Sequence, residues 1–479
     1  MKDATYWANQ LKTNQISFTE LVDSWGKIYQ EKNAVLNAIT QWRPDIATTS
    51  YAKIKAPKAT LFGGLPIALK DLGQDKASFL AQSGSRLFNG YQATKTDNFV
   101  AQVQRCGLVP LAKTNVPEFG FKNVTDSKLH GIAKNPFDVS KTPGGSSGGA
   151  AACVASGIFP LALASDGGGS IRIPASYCGL LGLKPTRGTM PVGPGGLRGW
   201  QGASINFALG ISVRDIKTLF YGLRQGVNPA APYQAPPCEW QHDENTKVTR
   251  PLKIAFCQDS PVNTPVSADA KAALKKAIDF LSAQGHQITE IAYPLDGEKL
   301  IRGYYAMNGA ETTAMLANLG FSQVQLQENI EPLSWLIYNY GKHISAATYT
   351  QILQEWDQAS AQMEELFTKY DLFLSPTTAV CAPDIEKRPL DTTNVTTAGE
   401  QELAEALYTA FYDSLAQTPY TQLANLTGQP AISLPVYASK SGLPLGVQAM
   451  AAKGREDLLF SVASLFEDAQ QFILPPVYH

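Results

Sequence analysis

Residues 141–166 read KTPGGSSGGAAACVASGIFPLALASD, and no charged side chain stands between Lys141 and Asp166. A membrane helix needs about 20 mostly apolar residues in one uninterrupted rod. Gly144, Gly145, Gly148, Gly149, Gly157 and Pro160 break this stretch. It therefore reads as two buried elements, an alanine-rich helix over 148–156 and a strand over 159–164. A strand without a polar face belongs to a sheet covered by helices on both sides.

The same alternation continues outward. Leu65 to Leu69 reads as a buried strand and Leu108 to Leu111 as the next. Between them, Thr96 can cap a helix that carries Phe99, Val100 and Val103 and stops at Gly107. Near the start, Ser17 and Glu20 form an SxxE capping box ahead of Leu21, Val22, Trp25, Ile28 and Tyr29 at helical spacing. Further on, strands are expected at 253–257, 287–291, 372–374, 431–436 and 445–450, and helices at 268–284 and 346–369. The proline-rich stretch 228–248 reads as a long surface loop, with strands continuing on both sides of it. No repeat at a solenoid period is present. The pattern predicts an α/β protein of one large domain with insertions.

Composition limits the function. The 479 residues include 44% hydrophobic and 17% charged side chains, enough apolar material for a large core. Lys and Arg number 40 against 41 Asp and Glu, a net charge of -1, and broad nucleic-acid or anionic-membrane binding needs excess basic charge. The six cysteines show no CxxC spacing and the five histidines no HExxH. No Cys/His zinc site and no disulfide scaffold are expected. The opening residues MKDATYWANQLKTN contain no apolar run of signal-peptide type, so the expected location is cytoplasmic.

Three segments carry possible chemistry. In GGLPIALKD, residues 63–71, Lys70 ends an apolar strand. On residue type alone it is a surface lysine; in an apolar pocket its pKa falls and it becomes a general base. In TPGGSSGG, residues 142–149, four glycines and two serines precede a helix. This is an anion cradle or a turn, but neither a P-loop nor a dinucleotide fingerprint, whose spacings are absent. In SDGGGSIRIP, residues 165–174, three glycines lead to Ser170. Successive amides there can converge on an oxyanion beside a serine nucleophile. The hydrolase elbow GxSxG is not met. A serine nucleophile needs a base. His130 is the histidine nearest in sequence, and a Ser-Ser-Lys arrangement removes the need for it.

Together these segments resemble the amidase signature family, with its GxPxxxKD strand, GGSSGG loop and D-x-GGS-I-R-x-P stretch. Here they fall at Gly64 to Asp71, Gly144 to Gly149 and Asp166 to Pro174. Asn135-Pro136, CGLLGLKPT at 178–186, LTGQPAISLP at 426–435 and GLPLGVQ at 442–448 extend the likeness over nearly the whole chain. The resemblance implies a single α/β/α sandwich with a mixed central sheet over 1–479. Its N-terminal helices would cover about 1–60, a signature core about 61–225, and a substrate-side and C-terminal part about 250–479.

The resemblance also implies roles. Ser170 is the acyl-enzyme nucleophile, Ser146 the bridging serine after a cis Gly145–Ser146 bond, and Lys70 the terminal base and acid. The amides of Gly167, Gly168, Gly169 and Ser170 form the oxyanion hole. Ser147 and Ser165 hold Lys70 and Ser146, and Asp166 pairs with Arg172 to brace the turn. No metal or organic cofactor is implied, and the partner is a small-molecule amide bound by a monomer or homo-oligomer.

Three functions compete on this basis: a free-standing amidase, the glutaminase subunit of a tRNA-dependent amidotransferase, and a non-catalytic binding protein. Glutaminase subunits usually read D-T-GGS where this chain has Asp166-Gly167-Gly168-Gly169-Ser170. Residues 331–335 and 454–459 resemble stand-alone amidases, including 6-aminohexanoate cyclic-dimer hydrolases. Acyl specificity is expected from 190–206 and 300–345, with Trp200, Phe207, Tyr304, Tyr305, Trp335, Tyr338 and Tyr340 as candidate pocket aromatics.

Overall fold

The alanine-rich helix Gly148–Ala155 is buried along its whole length, and the strand after it, Leu161–Asp166, is buried at every residue. That double burial explains the charge-free stretch. In the computed structural model, which describes residues 1–236, 250–385 and 395–478, both elements lie inside an α/β core. The expected proline-rich loop falls partly outside the described residues. Among the described residues, no helix is long and apolar enough to cross a membrane.

The strands are β1 Ile39–Trp42, β2 Leu65–Lys70, β3 Leu108–Thr114, β4 Asp126–Ser127, β5 Gly131–Ile132, β6 Leu161–Asp166, β7 Leu181–Lys184, β8 Ile205–Gly210, β9 Lys253–Phe256, β10 Gln287–Glu290, β11 Leu372–Pro376, β12 Ala431–Ala438 and β13 Pro444–Met450. Among the described residues, eleven of them form one sheet in the order β1-β3-β2-β6-β8-β7-β12-β13-β11-β9-β10, and β4 and β5 form a separate hairpin. The sheet is mixed: β3, β2 and β6 run parallel, the strands from β6 to β11 pair antiparallel, and β11, β9 and β10 are parallel again. The sheet draws on residues from 39 to 450.

Local signals mostly hold. The capping box closes, with the Glu20 amide donating to Ser17 Oγ at 3.2 Å and the Ser17 amide to Glu20 at 2.9 Å. One cap moves: the helix Asn98–Arg105 starts after Asp97, not Thr96. Thr96 Oγ1 instead accepts the amide of Ala77. The strand expected at 159–164 begins two residues later, at Leu161, after Pro160, and runs through Asp166.

A second apolar core lies in a helical layer built from Gly297–Ala317, Pro332–Gly341, Ala346–Lys369 and Glu400–Gln417. Two of these helices meet at glycine. A Cβ on Gly341 would lie 1.9 Å from the Gly309 carbonyl oxygen. This crossing sets how deeply the helix carrying Tyr304 and Tyr305 sits. Gly341→Ala should therefore cost about 1–3 kcal/mol through overpacking, read as a lower midpoint in equilibrium denaturation. An unchanged midpoint would mean that the two helices separate without penalty.

Candidate active site

Strands β2 and β6 are parallel neighbours, so their ends place Lys70 beside Ser165. Lys70 is fully buried. Its Nζ lies 2.9 Å from Ser165 Oγ, 3.3 Å from the Ser165 carbonyl and 2.8 Å from Ser146 Oγ. Ser147 Oγ donates to the Ser165 carbonyl at 3.2 Å and accepts the Ser165 amide at 3.4 Å. The peptide bond before Ser146 is cis. Burial pushes the Lys70 ammonium down to about 7, against the opposing pull of the Asp166 charge. Behind it, the Lys70 amide donates to Gln74 Oε1 at 2.7 Å, and Lys113 Nζ donates to the Gln74 carbonyl at 2.9 Å.

Past β6 the chain turns through Gly167, Gly168 and Gly169, and each glycine is required by a different neighbour. A Cβ on Gly167 would meet the Trp200 ring at 2.8 Å, one on Gly168 the Tyr304 hydroxyl at 2.8 Å, and one on Gly169 the Thr421 hydroxyl at 2.2 Å. Gly169 also has φ +125°, which L side chains rarely adopt. Tyr304 donates to the Gly167 carbonyl at 2.9 Å and Thr421 to the Gly168 carbonyl at 2.7 Å.

Asp166 caps this turn. It accepts the amides of Gly169 at 2.7 Å and Ile171 at 3.1 Å. Of the four amides expected around one point, that of Gly169 is thus directed at Asp166. Those of Gly167, Gly168 and Ser170 meet no protein acceptor among the described residues. Arg172 grips the same carboxylate at 2.8 and 2.9 Å. Its remaining N–H groups go to the Thr421 carbonyl, Gln448 Oε1 and Asn425 Oδ1, each at 2.6 Å. Burial alone would raise the Asp166 carboxyl. The Arg172 guanidinium and the Asn425 amide outweigh it and hold the group well below the usual carboxylate range.

Ser170 is half-buried. It faces a cavity of about 460 Å³, open mouth included, lined also by Phe121, Trp200, Tyr304, Tyr305 and Phe411. Trp200, Tyr304 and Tyr305 are thus cavity residues, as three of the seven candidate aromatics. Phe207 is instead buried in β8 within the main core, and Trp335, Tyr338 and Tyr340 pack in the helical layer. Phe121 to Asn123 and the face Phe411, Ser414, Leu415 and Thr418 were missed. No motif marks them; an amphipathic helix shows an apolar face without saying what it covers.

His130 lies off the cavity, its Nε2 3.7 Å from Asp71 Oδ2. Among the described residues no cluster of three or more His, Cys, Asp or Glu side chains is arranged to hold a metal.

A buried clasp also escaped the sequence reading. Glu118 accepts Ser85 Oγ at 2.6 Å, Ser334 Oγ at 2.5 Å and the Glu331 amide at 2.6 Å. Glu331 reaches back to Lys122 Nζ at 2.8 Å and the Lys128 amide at 2.7 Å. The clasp fixes residues 120–123, and Gly120 among them abuts Ser146, whose Oγ would be 3.2 Å from a Cβ there.

The Amidase family profile matches residues 20–460. A lipoamidase of Enterococcus faecalis is 34% identical over 98% of this chain, and this chain spans 63% of that relative's length. A 6-aminohexanoate-cyclic-dimer hydrolase of Paenarthrobacter ureafaciens is 31% identical over 98% of this chain and 95% of its own length. A solved structure of 6-aminohexanoate cyclic dimer hydrolase superposes with TM-score 0.89 at 29% identity, covering 100% of this chain and 99% of that one.

The bracing pair gives a direct test. Asp166→Ala leaves a buried guanidinium uncompensated and should cost about 3–5 kcal/mol, measured by equilibrium denaturation. Asp166→Asn, which keeps hydrogen-bonding atoms, should cost less. Equal and small losses would remove the pair from the stabilising structure.

Proposed function

This chain belongs to the amidase family, and we propose that it hydrolyses a carboxamide C–N bond as a single unit, through an acyl-enzyme on Ser170 served by Ser146 and Lys70. The observation that carries the reading is a fully buried lysine whose Nζ lies 2.8 Å from a serine hydroxyl, in surroundings whose burial pushes its ammonium down to about 7.

In this reading neutral Lys70 takes the proton of Ser146 Oγ. Ser146 takes the proton of Ser170 as Ser170 Oγ attacks the carbonyl carbon. The negative oxygen that forms is met by the amides of Gly167, Gly168 and Ser170. One such donor is worth roughly 2.7–4 kcal/mol in related systems. The Gly169 amide holds the turn through Asp166. The C–N bond then breaks, and the nitrogen leaves with a proton returned from Lys70 through Ser146. Water attacks the Ser170 ester by the same relay, giving the carboxylate and restoring the serine. Ser165 and Ser147 keep Lys70 and Ser146 in register, and Asp166 and Arg172 keep the turn closed. The family chemistry supports amide hydrolysis. The glutaminase alternative is not favoured, since a lipoamidase and a 6-aminohexanoate-cyclic-dimer hydrolase, at 34% and 31% identity, are more similar to this chain than the amidotransferase subunits at 28%.

Two outcomes follow from the roles. Ser170→Ala should abolish amide turnover while the thermal transition stays in place; retained turnover would overturn the assignment. The pH profile should show an acid limb. Lys70 works as the neutral amine, so kcat/KM should fall roughly tenfold per pH unit below about 7 and level off above it. Glu118 is also raised by burial to about 7. Glu118→Gln should nevertheless keep the limb, and a limb lost in that variant would assign the titration to the clasp.

A further inference from the structure

Trp200 and Gln201 both have φ +51°, a backbone region rarely occupied by L side chains. The tight turn that holds them there is closed by the Ala203 amide on the Trp200 carbonyl at 3.0 Å and the Ser204 amide on the Gly199 carbonyl at 3.0 Å. The result is to lay the indole across the glycine turn. Its ring would be 2.8 Å from a Cβ on Gly167. Phe121 stacks on it at 6.0 Å with an interplanar angle of 16°, and Tyr304 meets it edge-on at 6.2 Å.

The turn is clamped from outside the cavity. Gln201 Nε2 donates to Glu311 Oε1 at 2.9 Å, and Tyr349 donates its hydroxyl to the same oxygen. Tyr233 donates to Gln201 Oε1 at 3.3 Å, and Arg187 Nε to the Gly202 carbonyl at 2.9 Å. Such over-determination is what keeps a strained conformation in place at a working site.

The lining also includes Tyr305, stacked on Phe411 at 4.6 Å. Among the described residues, the only ordinarily charged side chain lining the cavity is Lys122, and its ammonium is taken by Asp126 and Glu331. The space beside Ser170 therefore has aromatic faces and no charge left to pair with a ligand.

We propose that Trp200, held over the glycine turn by the Gln201–Glu311 clamp, is the specificity-determining wall of the acyl site, which takes uncharged, apolar acyl chains. This rests on the Ser170 reading above. An ammonium or carboxylate carried into this space would lose water and meet no free opposite charge among the described lining residues.

The experiment is a chain-length series, acetamide to hexanamide, with 6-aminohexanamide and adipamate as charged counterparts of similar length. In the parent protein kcat/KM should rise roughly fourfold per added methylene, as for buried CH₂ groups. Either terminal charge should cancel most of that rise. Trp200→Ala should flatten the series, hexanamide falling far more than acetamide. Trp200→Phe should restore part of the slope, and Glu311→Gln should weaken it.

An unchanged slope in Trp200→Ala would overturn the proposal. So would an equal fall for every amide, since Trp200 would then shape the glycine turn and not the acyl group. Absence of Ser170-dependent turnover in the parent would instead defeat the chemical reading. Calorimetric titration of the same amides into Ser170→Ala protein, with and without Trp200→Ala, then still decides the slope.

Discussion

A guanidinium buried among carboxylate, amide and carbonyl oxygens holds this site together. Isolated in the core, Arg172 and Asp166 would each be very costly, because charge loses its hydration there. Here the fork of Arg172 meets both oxygens of Asp166, and its other N–H groups reach Thr421, Gln448 and Asn425. The last three belong to the chain's final sixty residues. The pair thus joins the glycine turn after β6 to the C-terminal half of the sheet, and the turn keeps its shape only while that join is complete.

A second constraint concerns lysines. Lys70, Lys113 and Lys184 are all buried, yet their surroundings differ. Lys113 lies 3.8 Å from Asp71. Lys184 donates to the Pro185 carbonyl at 2.7 Å, and burial pushes its ammonium well down. Among the described residues, Lys70 alone of the three hydrogen-bonds to serine hydroxyls, those of Ser146 and Ser165. What sets it apart is the combination of low solvation with two neutral hydroxyl partners, Ser146 and Ser165. Burial by itself is shared with the other two.

The helical layer supplies what the sheet cannot. The sheet ends bring Lys70 beside Ser165, but they leave one side of the glycine turn open. Helix Gly297–Ala317 lays Tyr304 on the Gly167 carbonyl, and helix Glu400–Gln417 contributes Phe411. The Glu118–Glu331 clasp then fixes the strap at 120–123 against both. The cavity's aromatic walls, Phe121, Trp200, Tyr304, Tyr305 and Phe411, belong to the apolar core of the helical layer.

Local features were open to sequence reading because their causes are local. A charge-free run broken by glycine and proline has to be a buried helix and strand, and the three glycines before Ser170 announce a turn crowded by its neighbours. The likeness of those segments to a known family then named Lys70, Ser146 and Ser170 together. The sequence did not tell Trp200 from Trp335, or Tyr304 from Tyr340, since all are large apolar residues on turns or helices. Nor did it show that Phe121 and Phe411 line one cavity or that Glu118 is buried. Those outcomes depend on contacts between residues tens to hundreds of positions apart. Such contacts are decided by how the helical layer packs on the sheet, which no short stretch of sequence contains.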